Sequence, residues 1–429
     1  MKLENMIIDI LKDEVIPAMG CTEPVAVAYA CGKTKEIHNN KEINMIEILV
    51  SPNIYKNGLG VGVPNTEEVG LDIAGALGIV IGNGDKGLQI LGDVNKGHVD
   101  KAHRLMDKDK FKVSIKDTDK KIYIEVNIKS ESHQTKLIIE DKHNEIVYIE
   151  KGRDILYKKE NKLENTTGKD FSYLQKQRIK DIIKSIEDLD AKRLDFLLDG
   201  IYMNEKIAAA GLKKKLGIGV GYDMKQWINK GILSDDLLNN AMMLTAAGAD
   251  ARMSGINMPV MSSNGSGNNG LTAILPIVAY NNKFPQNEEK LIKGLAISHI
   301  INCYIKSYIG RLSALCGCGV AAATGASAAI TWIMGGDYKQ VDGAIKNMIA
   351  NISGMICDGA KGSCALKVST SASVAIQSAL LAINNTITFE KNGIIAETAE
   401  ETIKNLAWIS TEGMVKTDRV ILDIMKNMA

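Results

Sequence analysis

Residues 312–336 read LSALCGCGVAAATGASAAITWIMGG, 25 residues without a charge. A run of that length is enough to cross a bilayer as a helix, so its reading as a span or as a core helix decides what kind of fold the chain adopts. Its composition argues for the core. Ala, Gly, Ser and Thr dominate it rather than Leu, Ile and Phe, and no second span of comparable length accompanies it. Small residues let helix backbones approach closely, so the stretch predicts a tightly packed, buried helix with no membrane as partner.

The segments around it agree. FSYLQKQRIKDIIKSIEDL, KRLDFLLDGIYMNEKIAAAGLKKKLG, SDDLLNNAMMLTAAGADARM, EEKLIKGLAISHIINCYIKS and AETAEETIKNLAWISTEGM all repeat apolar residues every three to four positions, as helices do. Upstream the pattern differs. Two helices are expected first, over 3–16 and from Thr22, with Pro24 in the first turn of the second. INMIEILVS then reads as a strand, TEEVGLDIAGALGIVIG and NKGHVDKAHRLMD as helices, and FKVSIKD, KIYIEVNIKS, TKLIIED and EIVYIEK as antiparallel strands alternating every second residue. The fold class expected is α+β. A small N-terminal α/β domain with an antiparallel strand meander covers 1–165, and a larger all-α C-terminal domain covers 166–429. The helices within 1–38 are free to pack on the second domain, and the polar stretch KKENKLENTTGKD, 158–170, is the linker.

Charge narrows the partners. Lys plus Arg number 52 against 51 Asp plus Glu, so no net field gathers nucleic acid, and no dense basic run with interleaved aromatics occurs. The N-terminal MKLENMIIDILKDEV is too charged for a secretory signal, which points to the cytoplasm. There the seven cysteines are expected reduced. Cys31 and Cys303 lie in apolar helical runs and read as small buried hydrophobes. The other five sit beside glycines, acids or prolines, where packing alone does not ask for a thiol.

Those five thiols occupy three motifs: GCTEP at 20–24, CGCG at 316–319 and ICDGAKGSC at 356–364. Between Cys316 and Cys318 lies one residue, between Cys318 and Cys357 lie 38, and between Cys357 and Cys364 lie six. Zinc modules use tighter, regular pairs. Thiols gathered from remote segments suit an iron–sulfur cluster, which cysteines hold without regular spacing, though on spacing alone a set of structural thiols stands level with it. Cys21 falls at a predicted helix start, where the dipole favours thiolate; the plain alternative is a helix cap by Thr22. SSNGSGNNG, 262–270, feeds an apolar helix and is either a polar loop or a set of backbone N–H groups for a carboxylate. It lacks the Gly-Lys-Ser/Thr ending of a nucleotide loop. SPNIYKNGLGVGVPNT, 51–66, reads as a surface turn, with Asn53, Lys56 and Asn57 as candidate substrate contacts at a strand end. The six histidines are scattered, and His299, in an apolar helix, reads as a satisfied core residue.

Taken together, GCTEP, SPNIYKNG, GSGNNG, CGCGVAAATGA and CDGAKGSC resemble the L-cysteine desulfidase family, relatives of the iron–sulfur L-serine dehydratase α domain, and the resemblance spans nearly the whole chain. It implies a [4Fe–4S] enzyme without pyridoxal phosphate that converts L-cysteine into pyruvate, ammonia and hydrogen sulfide. In this family three cysteines hold the cluster and leave one iron free. Cys357 and Cys364 match the close pair of ligands. The third comes from the CGC motif, where Gly317-Cys318 followed by small residues and Ser327 fits the dehydratase pattern, so Cys318 is favoured, with Cys316 as the alternative. Cys21 resembles the N-terminal thiol that acts as catalytic base or as resting fourth ligand. Thr22, Glu23, Asn53, Lys56, Asn57, Ser263, Ser266 and Asn268 are the expected substrate-binding residues. The lack of a separate second domain of the dehydratase type favours the desulfidase branch. Two other readings stay open: an L-serine dehydratase, with the same chemistry and another leaving group, and a non-catalytic iron–sulfur redox sensor in which Cys21 closes the fourth position. The expected partner is a small amino acid, and assembly into a homo-oligomer is compatible with the sequence.

Overall fold

The computed structural model describes residues 3–40, 42–107, 110–159, 172–310 and 312–428. The expected linker, 158–170, falls outside them from residue 160 onward. The architecture is α+β. A six-stranded mixed sheet is built from β2 (Met45–Val50), β3 (Phe111–Ile115), β4 (Tyr123–Lys129), β5 (Gln134–Glu140), β6 (Ile146–Lys151) and β7 (Asp154–Lys158), in the order β3-β2-β4-β5-β6-β7. A separate two-stranded ribbon pairs β1 (Pro17–Met19) with β8 (Pro259–Met261), antiparallel.

The meander needs one correction. FKVSI was expected to run antiparallel to its neighbours, yet β3 pairs parallel with β2, on the side away from β4. The reason is the connection. Three α-helices, Pro52–Gly58, Leu71–Ile81 and Lys96–Met106, and a short 3-10 helix, Gly84–Gln89, separate β2 from β3, and a crossover of that length can return a strand parallel to the one it left. Period-2 alternation reports which face is buried, not strand direction. Ile46, Ile48 and Val50 of β2 are all fully buried and pack with Ala26, Val27, Ala30 and Cys31 of the helix Thr22–His38. On the outer side of that helix, Val25 and Ala28 meet Ile73, Ala74 and Leu77. A Cβ on Gly78 would lie 2.2 Å from the Ala28 carbonyl oxygen, so the two helices touch backbone to backbone.

The second core is helical and draws on both ends of the chain. Ile7, Ile8 and Leu11 of the first helix, Leu3–Glu14, are buried with Ile182, Ile186, Ile297, Ile301, Ile330 and Ile376. So the first helix lies with the C-terminal helices while the second, Thr22–His38, covers the sheet. The chain crosses between the two cores at Gly20 and Cys21, and Gly20 takes a positive φ of 59° to make the turn.

The middle of the uncharged stretch, 319–331, is buried. The stretch forms a π-helical turn, Gly317–Ala322, continuing into the helix Ala323–Ile333. Gly325 there has no room for a side chain, since a Cβ would come within 2.2 Å of the Ser298 carbonyl oxygen in the helix Glu288–Ile309. Among the described residues one helix, Cys364–Ile383, is long and apolar enough to cross a membrane, and 56% of its 18-residue apolar window is buried inside the protein.

Candidate active site

Five segments that are remote in sequence meet where the chain crosses between the cores. The CGCG and ICDGAKGSC motifs pair as a short antiparallel ribbon. Cys316 N–H donates to the Met355 carbonyl (2.8 Å), Cys357 N–H donates to the Ala314 carbonyl (2.7 Å), and Leu315 bridges Ile356. The chain then turns at Gly359, whose φ of +94° suits glycine. Its missing side chain leaves space for the Lys56 carbonyl, which would lie 2.1 Å from a Cβ. Cys364 opens the helix Cys364–Ile383. Ala360 and Cys364 pack against Cys21, Val61 and Met253, a small cluster joining both cores.

The loop 262–269 is fixed at both ends. Ser262 donates to the Ile16 carbonyl from its N–H (2.9 Å) and its hydroxyl (2.6 Å), and the Asn264 N–H donates to the Glu14 carbonyl (3.1 Å). Ser266 caps the helix Gly267–Lys283, its hydroxyl accepting from the Asn269 N–H. Beyond it Asn268 accepts from Arg252 Nη1 (3.2 Å), while Arg252 Nη2 donates to the Gly20 carbonyl (3.1 Å) and lies 3.8 Å from the Cys21 sulfur. Gly267 leaves room for this guanidinium, which a Cβ would meet at 2.3 Å. Arg252 Nε is buried without a partner. On the other side of the loop, a Cβ on Gly317 would lie 3.1 Å from Lys306 Nζ and 3.6 Å from Asn269 Oδ1.

The thiols differ in environment. Cys31 and Cys303 are fully buried in the two cores, whereas Cys318, Cys357 and Cys364 are partly exposed. A hydrogen bond from the Cys318 thiol, then the Gly319 N–H and Lys367, lower Cys316 to about 6. The same bond, and burial, hold Cys318 protonated. Burial and the neighbouring Cys316 charge raise Cys357 against the pull of Lys56. Burial raises Cys364 to about 11, with Cys316 and Cys357 adding to it. Four thiols therefore feel one another, and only one of them sheds its proton readily.

Among the described residues no three His, Cys, Asp or Glu side chains converge as ligands of a single ion do. A polynuclear cluster asks for thiolates around a volume instead, and a cationic metal core deprotonates thiols that water cannot. Four mutually interacting cysteines with Lys56 and Lys367 beside them fit that demand in donor type and in compensating charge.

Cys21 departs from the expectation of an acidified thiol. It occupies the N-cap position before Thr22, in extended conformation. Burial, then the adjacent Glu23 carboxylate, push it up to about 12, with Arg252 pulling the other way. The dipole of a helix start is outweighed because Cys21 is only 3% exposed and its thiol donates to Glu23 Oε2 at 3.4 Å. SPNIYKNG is also no open turn. Ser51 caps, and Pro52 begins, the short helix Pro52–Gly58. Its Lys56 is buried and ion-paired at 2.8 Å with Asp418 of the C-terminal helix Val415–Met428. Asn57 is buried beside it and Asn53 is half-buried in the first turn. Thr22 and Glu23 are half-buried at the site's edge. Arg252 was not singled out from the sequence, because an arginine in the last turn of a helix reads as a solvated complement to the dipole. Its neighbours in ADARMSG, almost all small or apolar, are the signal that it is buried.

Comparison with known proteins places this chain in a family. A family profile described as serine dehydratase alpha chain matches residues 85–423. The chain is similar to a UPF0597 protein of Alkaliphilus oremlandii (strain OhILAs), 59% identical over 100% of this chain and 99% of the relative. A UPF0597 protein of Clostridioides difficile (strain 630) is 52% identical over 98% of this chain and 99% of its own. One from Clostridium tetani (strain Massachusetts / E88) is 42% identical over 99% of each.

Proposed function

The chain belongs to the serine dehydratase alpha chain family, and from that premise we propose that it is a β-eliminating lyase that converts L-cysteine into pyruvate, ammonia and hydrogen sulfide, with a [4Fe–4S] cluster as its cofactor. One observation carries the reading: the loops of Cys316, Cys318, Cys357 and Cys364 meet Cys21, and through it the buried Arg252 guanidinium, in one place. Cys318, Cys357 and Cys364 would hold the cluster. Cys318 shares the partial exposure of the other two, whereas Cys316, the alternative, is buried. When bound, the cluster supplies a Lewis-acidic iron that no cysteine holds.

The protein's own residues do the rest. Ser263, Asn268 and the N–H groups opening the helix Gly267–Lys283 orient the substrate carboxylate. Cys21 takes the α-proton. It acts in its thiolate form, which the Arg252 guanidinium 3.8 Å away favours against the burial and the Glu23 charge that hold the resting thiol protonated. Loss of sulfide from the β-carbon leaves aminoacrylate, which tautomerises and, with one water, gives pyruvate and ammonia. Sulfide departs without needing a proton, unlike hydroxide. A cytoplasmic location, where thiols stay reduced, accords with this reading.

The family description favours a second reading, an L-serine dehydratase, with the same residues in the same roles. Anaerobic purification with iron and sulfide counts, followed by pyruvate release from L-cysteine and from L-serine, tests both. Turnover of L-cysteine is the expected result, with iron lost in Cys318→Ala and kept in Cys316→Ala. Turnover of L-serine alone moves the assignment to the dehydratase. Iron without any turnover leaves a redox sensor, and iron lost only in Cys316→Ala exchanges the third ligand.

A further inference from the structure

The loop 262–269 carries a serine whose surroundings are more specialised than those of a polar loop residue. Ser263 is fully buried, and its hydroxyl lies 2.9 Å from His299 Nδ1 and 2.8 Å from Asn302 Nδ2. His299 and Asn302 are themselves fully buried, three residues apart on one face of the helix Glu288–Ile309. One turn further along that face, Lys306 reaches Gly317, between Cys316 and Cys318. Two atoms of this group, His299 Nε2 and Asn302 Oδ1, have no partner, nor has Asn264 Oδ1 beside Ser263.

The unpartnered atoms fix where the hydrogens are. Turning the Asn302 amide over would leave its two N–H donors in the core instead of one carbonyl oxygen, so Nδ2 is the group that faces Ser263. Burial pushes His299 down to about 3, so the ring is neutral and carries one proton. Placed on Nε2, that proton would be a buried donor without an acceptor; placed on Nδ1, it donates to Ser263 and leaves only a lone pair unmet. A buried unpaired N–H is the rarer and costlier of the two. The Ser263 oxygen then accepts from both neighbours and uses both its lone pairs. Its own hydrogen has to be given elsewhere, and among the described residues Ser263 Oγ has no third partner.

We propose that His299, together with Asn302, is a positioning residue that locks the Ser263 hydroxyl as a hydrogen-bond donor to the carboxylate of the amino-acid ligand. The inference rests on the amino-acid-lyase reading for the identity of that carboxylate, while the locked donor follows from the geometry alone. The group acts on recognition, and His299 itself touches no reacting atom.

The test uses the full anaerobically prepared chain and a ligand that cannot be turned over. L-alanine has the carboxylate and no leaving group; L-alaninamide lacks the carboxylate charge. Calorimetric binding of the two gives a ratio that wild type holds in favour of L-alanine. His299→Phe is expected to weaken L-alanine about ten-fold or more, a lost hydrogen bond to a charged group, and L-alaninamide, whose neutral carbonyl accepts more weakly, clearly less. His299→Asn, whose amide nitrogen stands near the place of Nδ1, restores most of the loss. Ser263→Ala alone shows the same loss, and adding His299→Phe to it brings nothing further. In ¹⁵N-histidine spectra the His299 proton sits on Nδ1. Equal weakening of both ligands by His299→Phe, no preference for L-alanine in wild type, or a proton on Nε2 overturns the proposal. An intact L-alanine preference in a chain that turns over neither L-cysteine nor L-serine overturns the lyase reading and leaves the positioning role in place.

Discussion

A guanidinium that is 4% exposed has to find its partners inside the protein, and Arg252 finds three: the Gly20 carbonyl, the Asn268 amide oxygen and the Cys21 sulfur. These belong to two remote parts of the chain, so the planar fork of one arginine joins the crossing turn to the start of the helix Gly267–Lys283. Lysine keeps the charge and loses the fork. Arg252→Lys is therefore expected to behave almost as badly as Arg252→Gln. Each should lower kcat/KM about ten- to a hundred-fold, as the loss of a charged hydrogen bond of roughly 1.5–3 kcal/mol requires, measured as pyruvate release over a range of substrate concentrations. A lysine variant close to wild type would show that only charge is needed there. His299 teaches the converse lesson. Its apolar helical neighbours made it look like a contented core residue, and the structure shows a ring half of whose hydrogen-bonding capacity is spent on a single serine.

Between elements, glycines set the distances. Gly325 lets the helix Ala323–Ile333 rest on the Ser298 carbonyl of the neighbouring helix, and a Cβ there would also meet the Asn302 N–H at 3.3 Å. Because the obstructing atoms are backbone, no rotamer change relieves the clash and the helices have to part. Gly325→Ala is expected to cost about 3 kcal/mol, the upper end for overpacking, seen as a lower urea midpoint with unchanged slope. The same shift moves Asn302 away from Ser263, so L-alanine binding falls with it; a variant as stable as wild type would mean that the contact yields. The π-helical turn Gly317–Ala322 belongs to this scale too. It brings Val320 N–H onto the Cys316 carbonyl (2.7 Å) and sets Cys316 and Cys318 side by side, a local irregularity of the kind found at functional positions.

The molecule as a whole should respond to acid through groups buried in both cores. Burial lowers His38, above the sheet, from its ordinary 6.5 to about 4, with His133 adding to the effect, and burial lowers His299 to about 3. A histidine held neutral in the native state binds a proton only on unfolding, so its contribution is present above pH 6.5 and is lost as pH falls toward 4. Asp250 runs the other way. Burial raises it to about 6 from 3.8, although it accepts the Gly219 and Gly221 N–H groups, so its contribution is present below pH 3.8 and is lost as pH rises through 6. The Tm is expected to fall between pH 6.5 and 4, less steeply in His38→Leu and more steeply in Asp250→Asn; the opposite order would contradict the assigned shifts. The sequence by itself determined the α+β class, the helical character of the C-terminal part and the motifs worth watching, because periodicity, helix-start residues and glycine-flanked thiols are properties of neighbours along the chain. Only the tertiary structure decided that β3 runs parallel to β2, that Arg252 lies beside Cys21, Lys306 beside Gly317 and Asn302 beside Ser263, and that burial holds the Cys21 thiol protonated. Strand direction depends on the length and path of a connection, and a thiol's acidity depends on which distant residues exclude water from it. Those are facts of three-dimensional neighbourhood that spacing along a chain does not contain.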